Sequence, residues 1–409
     1  MQDRELYKQI LGRSSPWSVA SVELKAVEGE VHVHVAHPRG TKFCCPECKR
    51  ELSCYDHASE RQWRHLDTCQ FKTLLHARQP RVQCPEHGVQ LVSVPWAEKS
   101  SRFTIMFERL AIDVLKVTQT VTGAMVIMRT SWDETWKILT KAVDRGRARK
   151  VATPMPRIGI DEKAFSKGQS YVTLLVDIDN STVEAIADGN NTESGTACFS
   201  TLNESQLNAV EAVAMDMSPA FLAAAHAVIP LAETKIVHDR FHVMQHATEA
   251  VDKVRRREHR ELKQEDDLRL SGTKYVWLTS QENLSDKQSE RLEAIFYSGL
   301  ETGKAWAFKE LLRDLWSQPT SVEATAYFKQ WYRRVIHTKL EPMKKVARMI
   351  KKRLRNVVSY CDLGITNAVA EGINSKIMSI KRRVGGYRNR ENFKKAIFFY
   401  CGGLDLYPR

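Results

Sequence analysis

The spacing of apolar and polar residues divides the chain into stretches with different periods. Residues 20–43 alternate as in a β-strand, most clearly in Val31-His32-Val33-His34-Val35, and a second strand-like stretch runs from Phe71 to Val82. From Phe107 to Lys150 the apolar period changes to that of a helix. Two prolines in the segment Val151–Pro156 then stop the helical pattern, so this segment is predicted to be a linker.

The helical stretch before the linker predicts three short helices. The first presents one apolar face, made of Phe107, Leu110, Ala111, Val114 and Leu115. A second is predicted from Thr120 to Met128, and a third from Trp132 to Val143. Ser131 followed by Glu134 forms a capping-box pattern at the start of the third helix. Short helices, a tight turn and a basic flank are typical of a helix-turn-helix, although three-helix packing without a DNA role gives the same pattern.

Beyond the linker the pattern becomes rich in strands. The predicted strands are Arg157–Asp161, Tyr171–Asp179, Thr182–Ala187, Ala212–Asp216 and Lys235–His238, and the predicted helices are Glu204–Glu211 and Ser218–Val228. Hairpin-linked strands followed by alternating helices and strands indicate a mixed α/β sheet of the RNase H type. In that topology the first strand is central and the fourth lies beside it, so Asp161 and Asp216 are expected to be neighbours.

Residues 243–355 have an almost entirely helical pattern, with Trp277, Trp306, Trp316 and Trp331 spread through them. We interpret this stretch as a helical insertion that interrupts the sheet domain. Its basic runs, Arg255–Arg257 and Lys344–Arg355, are expected to form solvated helix faces or to contribute to DNA contact. From Asn367 the chain is predicted to return to the sheet domain through one more helix.

Composition narrows the class of protein. The chain has 409 residues, 43% of them hydrophobic, which is enough for several domains with real cores. The formal net charge is +13 and the pI is near 9.3, and a positive field of this size favours polyanions such as nucleic acid. No apolar run is long enough to span a membrane, and the first residues lack the apolar core of a signal peptide. We therefore expect an intracellular protein.

Cysteines cluster near the N-terminus and predict a zinc ribbon. Six of the nine fall between Cys44 and Cys84, and in an intracellular protein such a cluster indicates metal binding rather than disulfides. Two short knuckles, each after a strand, can close the tetrahedral shell of a structural Zn²⁺ with Cys45, Cys48, Cys84 and His87. Alternatives stay open: Cys44 for Cys45, and Cys54, His57 or Cys69 for a member of the second pair. His32, His34 and His37 are expected on the polar face of a strand and are left out of the zinc site.

Three acidic residues form the candidate catalytic site. Asp161 and Asp216 each follow a fully apolar strand, and the carboxyl ends of such strands are where α/β sheets place their chemistry. Glu371 lies in a helical pattern that precedes a dense basic run. Carboxylates and water are the ligands that Mg²⁺ prefers, and a pair of such ions activates water or a 3′-hydroxyl against a phosphodiester.

Glu162 is the rival of Asp161, and Asp177, Asp179 and Asp188 are interpreted as turn or cap residues. Asp239 has two interpretations, as a turn or cap residue or as an auxiliary residue of the active site. In the second case its neighbours His238 and His242 would contact the scissile phosphate through their imidazoles.

Basic residues near the predicted third helix and after Glu371 are the candidate DNA contacts. Phosphate contacts supply most of the affinity for nucleic acid. The candidates are Trp132, Lys137, Arg145, Arg147, Arg149, Lys376, Lys381, Arg382, Arg383 and Arg388. Trp132 and Trp136 lie one turn apart on one face, so both are expected to be core residues more than base readers. Gly385-Gly386-Tyr387 permits a turn within the second basic group.

The ordered set of motifs resembles the ISL-three family of bacterial insertion-sequence transposases, which belong to the DDE superfamily. The matching stretches are Arg81–Pro85, Ser131–Trp136, Gly159–Glu162, Val213–Ser218, His238–His242, Thr366–Asn374 and Lys381–Tyr387. The resemblance covers almost the whole chain. It implies a zinc ribbon, a helix-turn-helix and an RNase H-like core with a helical insertion, and it implies that Asp161, Asp216 and Glu371 are the metal-binding triad. The Cys-x-x-His knuckle departs from an all-Cys ribbon and leaves the fourth ligand open.

The fold class that follows is a multidomain α+β and α/β protein. The predicted domains are a zinc ribbon (1–100), a helix-turn-helix (101–150), the first part of an RNase H-like core (151–242), an all-helical insertion (243–355) and the second part of the core with basic C-terminal helices (356–409).

The predicted function is that of a DDE transposase. It binds the terminal inverted repeats of its element as a homodimer, cuts with Mg²⁺ or Mn²⁺ bound at the triad, and joins 3′-hydroxyls to target DNA. The expected partner is double-stranded DNA, and the expected location is the bacterial cytoplasm, with the nucleoid. The alternatives are an RNase H-like structure-specific nuclease and a non-enzymatic DNA-binding regulator.

Overall fold

The structure of the protein, a computed structural model, describes residues 3–10, 16–166 and 170–409. The chain forms two compact units, one made of Met1–Lys150 with Leu404–Arg409 and the other of Val151–Gly403. The tail Leu404–Arg409, which we expected with the second part of the catalytic core, therefore belongs to the first unit. In the described part of the chain, no helix combines the length and apolar character needed to cross a membrane.

The first unit begins with a short helix and a six-stranded sheet. Its elements are α1 (Asp3–Ile10), β1 (Ser18–Lys25), β2 (Glu30–Ala36), β3 (Lys42–Cys44), β4 (Glu51–Thr68), β5 (Phe71–Cys84) and β6 (Gly88–Leu91). The stretch predicted as one strand over 20–43 is thus three strands separated by turns. The long strand β4 escaped prediction because its sequence is mostly polar, with Trp63 as its large buried apolar side chain.

The strands of this sheet run in the order β1-β2-β5-β4-β3, and β6 pairs with β5. Strands β2 and β5 are parallel, and the other neighbours are antiparallel. Alternation of side chains along β2 sends Val31, Val33 and Val35 into the core with Trp63 and Leu75. The intervening histidines of β2 therefore lie on the opposite, polar face, as predicted from their spacing.

Three helices follow the sheet: α2 (Ile105–Thr118), α3 (Val121–Met128) and α4 (Trp132–Arg149). The capping box is present, because the Ser131 hydroxyl accepts from the Glu134 amide while the Glu134 carboxylate accepts from the Ser131 amide. Helix α4 extends beyond the predicted end at Val143 and includes the basic stretch. Leu110, placed on the apolar face by its spacing, is exposed instead.

Helices α2 and α4 are connected by ion pairs and by the C-terminal tail. Arg145 binds the buried carboxylate of Glu108 and also Glu98, and it donates to the Leu406 carbonyl. The Tyr407 hydroxyl donates to Asp113 of α2 at 2.5 Å. A buried carboxylate such as that of Glu108 is costly unless it is paired, and Arg145 supplies the pairing charge. All three guanidinium nitrogens of Arg145 donate to partners within this unit.

The second unit is built on a five-stranded mixed sheet. Its strands are β7 (Arg157–Ser166), β8 (Ser170–Asp177), β9 (Thr182–Asp188), β10 (Ala212–Met215) and β11 (Ile236–His238), in the order β11-β10-β7-β8-β9. Strands β7, β8 and β9 are antiparallel, and β10 is parallel to both β7 and β11. The first and fourth strands are neighbours, as predicted.

Helices cover this sheet on the side of Ile158 and Ile160. They are α5 (Thr192–Phe199), α6 (Glu204–Ala209), α7 (Pro219–Val228) and α8 (Ala232–Lys235). Phe199 of α5 and Phe221 of α7 are fully buried against the sheet residues in one cluster. Helix α5 was not predicted, because its sequence is short and only weakly periodic. Its start is marked by a capping box at Asn191.

The helical region after β11 holds the second core of this unit. Its helices are α9 (Arg240–Gln264), α10 (Lys274–Leu278), α11 (Asp286–Phe296), α12 (Glu301–Arg313), α13 (Ser321–Ile336), α14 (Glu341–Lys352), α15 (Leu354–Val358) and α16 (Tyr360–Leu363), with 3₁₀ turns at Gln281–Asn283 and Asp314–Ser317. The four tryptophans named above are buried together in it. The helical pattern over 243–355 is confirmed, with α9 beginning directly after β11.

Some of the arginines of this helical region form ion pairs within it. Arg255 is buried against Asp252, and Arg257 pairs with Glu301. Arg255 is therefore part of an internal ion pair, whereas Arg257 remains partly exposed at the surface. The unit ends with α17 (Ala368–Arg383) and α18 (Arg390–Cys401), and Gly385 and Gly386 both have positive φ in the turn between them.

Candidate functional site

Three aspartates lie in one row across adjacent strands of the mixed sheet. Ala212 of β10 pairs with Arg157 of β7, and Val213 pairs with Ile236 of β11. Continuing this register brings Asp216 beside Asp161 on one side and beside Asp239 on the other. Neighbouring strands are about 4.8 Å apart, so the three carboxylates share one edge of the sheet. Asp161 lies within β7 rather than at its end, because the hairpin with β8 continues to Ser166.

Asp161 is held by two donors. One carboxylate oxygen accepts from the Glu162 amide at 2.9 Å, and the other accepts from the side-chain amide of Asn374 at 2.5 Å. Asn374 lies on α17 and is buried. Asp216 is fixed differently, since its carboxylate accepts from the Ser218 amide in the turn that starts α7. Both carboxylates are therefore oriented by neutral donors and keep their negative charge available.

Helix α17 brings Glu371 to the same edge. Asn367, Glu371 and Asn374 are spaced by four and three residues, so they share one helical face. That face lies close to β7, because a Cβ built on Gly159 would be 3.2 Å from the Asn367 side-chain oxygen. Glycine at 159 thus permits the close approach of helix and strand.

Glu371 joins a cluster with Asp239 and His242. One ligand atom from each of these three residues lies within 4.8 Å of the other two. Asp239 caps α9 by accepting from the Phe241 amide, while its other carboxylate oxygen is buried with no hydrogen-bond partner among the described residues. The Asp239 and Glu371 carboxylates lie within hydrogen-bonding reach of each other. Two carboxylates this close need a shared proton or a cation between them.

His238 contacts the backbone of the segment that carries Asp216. It is buried at the end of β11, and one ring nitrogen pairs with the Asp216 backbone carbonyl at 3.0 Å. Burial lowers the pKa of His238 to about 4. This contact fixes the backbone that carries Asp216, and the role of His238 at a scissile phosphate stays a prediction. His242 is half-buried among the acids.

The acidic groups lie close enough to shift one another's pKa values. Burial raises the pKa of Asp161, and the Asp216 charge raises it further. Burial and the charge of Asp239 raise the pKa of Glu371, to which Asp161 also contributes. His242 opposes these shifts at both residues. Because like charges raise the pKa only at short range, Asp161, Asp216, Asp239 and Glu371 belong to one electrostatic cluster.

Glu162, the rival of Asp161, belongs to the same neighbourhood. Burial first, then the charges of Asp216 and Asp161, raise its pKa to about 7. Its side chain is half-buried, and alternation along β7 directs it to the face opposite Asp161. The three predicted turn residues lie outside the cluster. Asp177 and Asp179 flank the β8–β9 turn, and Asp188 ends β9.

The first unit brings the four predicted zinc ligands together. Ligand atoms of Cys45, Cys48, Cys84 and His87 all lie within 4.8 Å of one another. The Cys48 and Cys84 sulfurs are 3.6 Å apart, and the Cys84 sulfur is 3.4 Å from His87 Nδ1. The hydrogen bond with His87 lowers the pKa of Cys84 to about 6. A thiolate is the form that binds zinc, so the donor set of three sulfurs and one imidazole fits a structural Zn²⁺.

The alternative ligands do not join this group. Cys44 is exposed at the end of β3, and Cys69 is exposed in the β4–β5 turn. Cys54 and His57 lie near each other on β4, with sulfur and Nε2 3.9 Å apart. Cys45 is buried, and its carbonyl accepts from the Lys49 amide as the knuckle turns back.

The predicted DNA contacts fall into two groups. Arg145 is almost fully buried, and Arg149 donates to the Tyr407 carbonyl, so these two support the first unit internally. Trp132, Lys137 and Arg147 have exposed side chains on α4. The expectation that Trp132 is a core residue is wrong, because Trp132 is exposed; Trp136, on which its ring stacks at 5.4 Å, is half-buried.

The basic residues after Glu371 are also divided. Lys381 donates to the Ala164 carbonyl and is half-buried, and Lys376 donates to the Tyr400 carbonyl from an exposed position. Arg382, Arg383 and Arg388 have exposed side chains at the end of α17 and in the turn that follows. The last turn of α17 therefore presents cations to solvent.

Asn367 and Asn374 are the site residues that sequence reasoning missed. Both are buried, and Asn374 contacts Asp161 directly. Their helical spacing around Glu371 was visible in the sequence and could have identified them, because a helix face that carries one functional side chain presents its neighbours at three and four residues.

Two matches with known protein families define the class of this protein. Residues 41–87 match a family model described as zinc-finger of transposase IS204/IS1001/IS1096/IS1165. Residues 158–397 match the transposase model DDE_Tnp_ISL3. The class is that of transposases with an N-terminal zinc ribbon. Because the second match covers more than half of the chain, the chain belongs to the ISL3 transposase family, as its motifs predicted.

Individual relatives agree along nearly the whole length. The chain is 26% identical over 398 residues to the transposase for insertion sequence element IS1001 of Bordetella parapertussis, covering 96% of this chain and 97% of the relative. It is also 26% identical over 424 residues to the transposase for insertion sequence element IS1557 of Mycobacterium tuberculosis, covering 95% and 93%.

Proposed function

We propose that this chain is a DDE transposase that cuts DNA at the ends of its insertion sequence and joins the 3′-hydroxyls to target DNA. The proposal is supported by the register that sets Asp161 beside Asp216, and by the helix that bears Glu371, whose Asn374 donates to Asp161. The strand order β11-β10-β7-β8-β9 supports an RNase H-like core, since the first strand is central and the fourth is parallel to it.

The residues present fit divalent metal ions. The donors are carboxylate oxygens, which suit Mg²⁺ or Mn²⁺ better than softer metals. Repulsion among the acids also favours a cation at this place, as do the buried oxygens of Asp239 and Asn374, which have no hydrogen-bond partner in the described part of the chain. Asp161, Asp216 and Glu371 would hold the ions, with Asp239 beside them. When bound, the ions supply a nucleophilic oxygen and stabilise the leaving oxygen in an in-line displacement.

The chain's own residues orient the site. Asn374 and the Glu162 amide keep the Asp161 carboxylate fixed, and the Ser218 amide does the same for Asp216. His242 places an imidazole among the acids, where its protonated form offsets part of their charge. Preorganised groups of this kind need little rearrangement when a substrate phosphate arrives.

DNA binding is assigned to three surfaces by their exposed cations. On α4 the candidates are Lys137 and Arg147 with the stacked Trp132, in a three-helix arrangement that we interpret as a helix-turn-helix. The zinc ribbon is the second surface, and Arg382, Arg383 and Arg388 form the third. We further infer that two copies act together on double-stranded DNA, because an insertion sequence has two ends to be cut and joined.

The test is the substitution Asp216→Asn, which keeps the size of the side chain and removes its charge. We expect strand cleavage at the element ends to fall by about 10³-fold, because a metal-ligand carboxylate contributes several kcal/mol to the transition state. Binding to the terminal inverted repeats is expected to be unchanged in a gel-shift assay. Melting temperature is expected to hold or rise, because a like charge is removed beside Asp161.

The matched control is Asp179→Asn at the β8–β9 turn, outside the acidic cluster, and it should cleave normally. Full cleavage by Asp216→Asn would contradict the assignment of the acids. A second assay with pre-cut ends separates the proposed function from a nuclease, since a nuclease cleaves but does not join strands. Absence of any Mg²⁺-dependent activity in the wild-type chain would instead indicate a DNA-binding regulator.

A further inference from the structure

A second group of potential metal ligands lies on the polar face of the sheet in the first unit. His34 of β2 pairs in register with His76 of the parallel strand β5. On the other side of β5, Gln62 of β4 is the partner of His76, and Glu60 lies two residues along the same face. One ligand atom each from His34, Glu60 and His76 lies within 4.8 Å of the other two.

His76 is also the end of a hydrogen-bonded chain that starts at Glu30. Glu30 Oε2 is 3.0 Å from Nε2 of His32, and Nδ1 of His32 is 2.8 Å from Nε2 of His76. The other nitrogen of His76, Nδ1, is 3.5 Å from Glu60 Oε1. His32 is buried, and the His76 side chain is only 12% exposed, so water has limited access to this chain.

If each imidazole in the series Glu30–His32–His76–Glu60 carries one N–H, the contact between His76 and Glu60 has no hydrogen. A neutral imidazole has one N–H, and an ionised carboxylate only accepts. His32 therefore donates to Glu30 through Nε2 and accepts at Nδ1, so His76 must donate to it through Nε2. The lone pair on His76 Nδ1 then faces the Glu60 carboxylate. Two acceptors at this distance repel each other unless a positive group lies between them.

We propose that His34, Glu60 and His76 bind a divalent transition-metal ion of the zinc type, at a site distinct from the cysteine cluster. Two imidazoles and a carboxylate are ligands that suit Zn²⁺, and three protein ligands leave a fourth position for water. The His34 and His76 rings have centroids 4.7 Å apart, and small side-chain rotations bring their nitrogens to a shared ion.

The surrounding contacts prepare His76 for this role. The Glu30–His32 chain fixes its tautomer and ring orientation, as a second layer of hydrogen bonds does for histidine ligands of metals. Burial and the neighbouring rings of His34 and His32 lower the pKa of His76, so the neutral, metal-binding form is favoured over a protonated ring. A bound ion would connect β2, β5 and β4 on the face opposite the apolar core.

The test measures zinc in the full-length, untagged protein, because a polyhistidine tag would bind the metal itself. The protein is incubated with zinc chloride, passed through a desalting column and analysed by mass spectrometry for bound zinc. We expect about two equivalents per wild-type chain. Glu60→Gln changes a side chain that is 48% exposed, so we expect the fold to be kept and the variant to hold one equivalent.

Two further variants keep the result interpretable. His34→Ala should also hold one equivalent, while His57→Ala, which removes an exposed histidine of the same sheet outside the group, should hold two. Co²⁺ in place of zinc provides an independent readout. Wild type and Glu60→Gln should show the same thiolate charge-transfer absorption, because the Co²⁺ that the variant fails to bind has no cysteine ligand. One equivalent in the wild type, or two in Glu60→Gln, would overturn the proposal and leave a proton between His76 and Glu60.

Discussion

The zinc cluster and the acidic cluster of this transposase are assembled in opposite ways. Cys45 with Cys48, and Cys84 with His87, are two pairs that each lie within one turn of the backbone. The acids come from two separate strands and from a helix that follows the whole helical region. The first cluster depends on local spacing, whereas the second depends on strand register and on the docking of α17.

This difference has an energetic counterpart. Zinc ligands attract their metal and add to the stability of a small domain, so their loss is expected to unfold it. Burial raises the pKa values of Asp161 and Glu371 and the charges of neighbouring carboxylates raise them further, so we expect these acids to reduce the stability of the sheet that carries them. We therefore expect the zinc cluster to stabilise its domain, and the acidic cluster to need a domain whose stability comes from other contacts.

The largest expected effect comes from breaking the zinc cluster. In Cys48→Ser we expect amide protection from hydrogen exchange to collapse across β3 to β6, while β7 and β8 stay protected. Structural zinc contributes apparent free energies on the order of 10 kcal/mol, more than a domain of this size can lose. Hydrogen exchange with mass spectrometry gives the readout for each strand.

Cys54→Ser is the matched control, because Cys54 lies in the same sheet but outside the cluster. It should retain both zinc content and protection. If Cys48→Ser kept full protection in β4 and β5, the contrast drawn between the two clusters would fail.

A smaller effect is expected from Asn374→Ala at the acidic cluster. Loss of its amide frees the Asp161 carboxylate to rotate, and groups that orient metal ligands are typically worth about 10- to 100-fold in activity or metal affinity. We expect cleavage to fall by this factor and to recover partly when Mg²⁺ is raised. Melting temperature should change little.

The Mg²⁺ dependence distinguishes a positioning role from a purely structural one. Ser375→Ala, on the exposed side of the same helix, should leave both rate and Mg²⁺ dependence unchanged. A rate loss in Asn374→Ala that no Mg²⁺ concentration relieves would argue against Asn374 as the residue that positions Asp161.

The smallest effect concerns pH and stability in the first unit. His65 of β4 is buried and contacts Thr104, the N-cap of α2, and burial lowers its pKa to about 4 from the ordinary 6.5. As the pH falls, His65 is protonated in the unfolded chain before it is protonated in the folded chain. The free energy of unfolding is therefore full above about pH 6.5 and declines as the pH falls towards 4. At pH 5.5 the loss is about 1.4 kcal/mol.

Denaturant melts of the wild type and His65→Gln at pH 7.5 and 5.5 measure this contribution. Glutamine does not titrate in this range, so the variant should lose less stability than the wild type between the two values. Equal losses in both proteins would mean that other groups determine the acid sensitivity of the first unit.

Many elements of the fold were readable from the sequence, and the failures have physical causes. Local signals gave the capping box at Ser131, the turn at Gly385-Gly386 and the apolar strands β7 and β10. Strand β4 was missed because burial of one large side chain leaves little alternation to detect. Arg145 was assigned to DNA because a sequence does not reveal that Glu98 and Glu108 converge on it.

By itself the sequence determined the zinc knuckles and the family, because both rest on short motifs, and it predicted Asp161, Asp216 and Glu371 as the catalytic acids through the resemblance to that family. Only the tertiary structure decided that Asn374 contacts Asp161, that Asn367 lies against β7, and that His34, Glu60 and His76 meet on one face. These groupings depend on the register between strands and on where a helix packs, which arise from burial of the whole core rather than from any local segment.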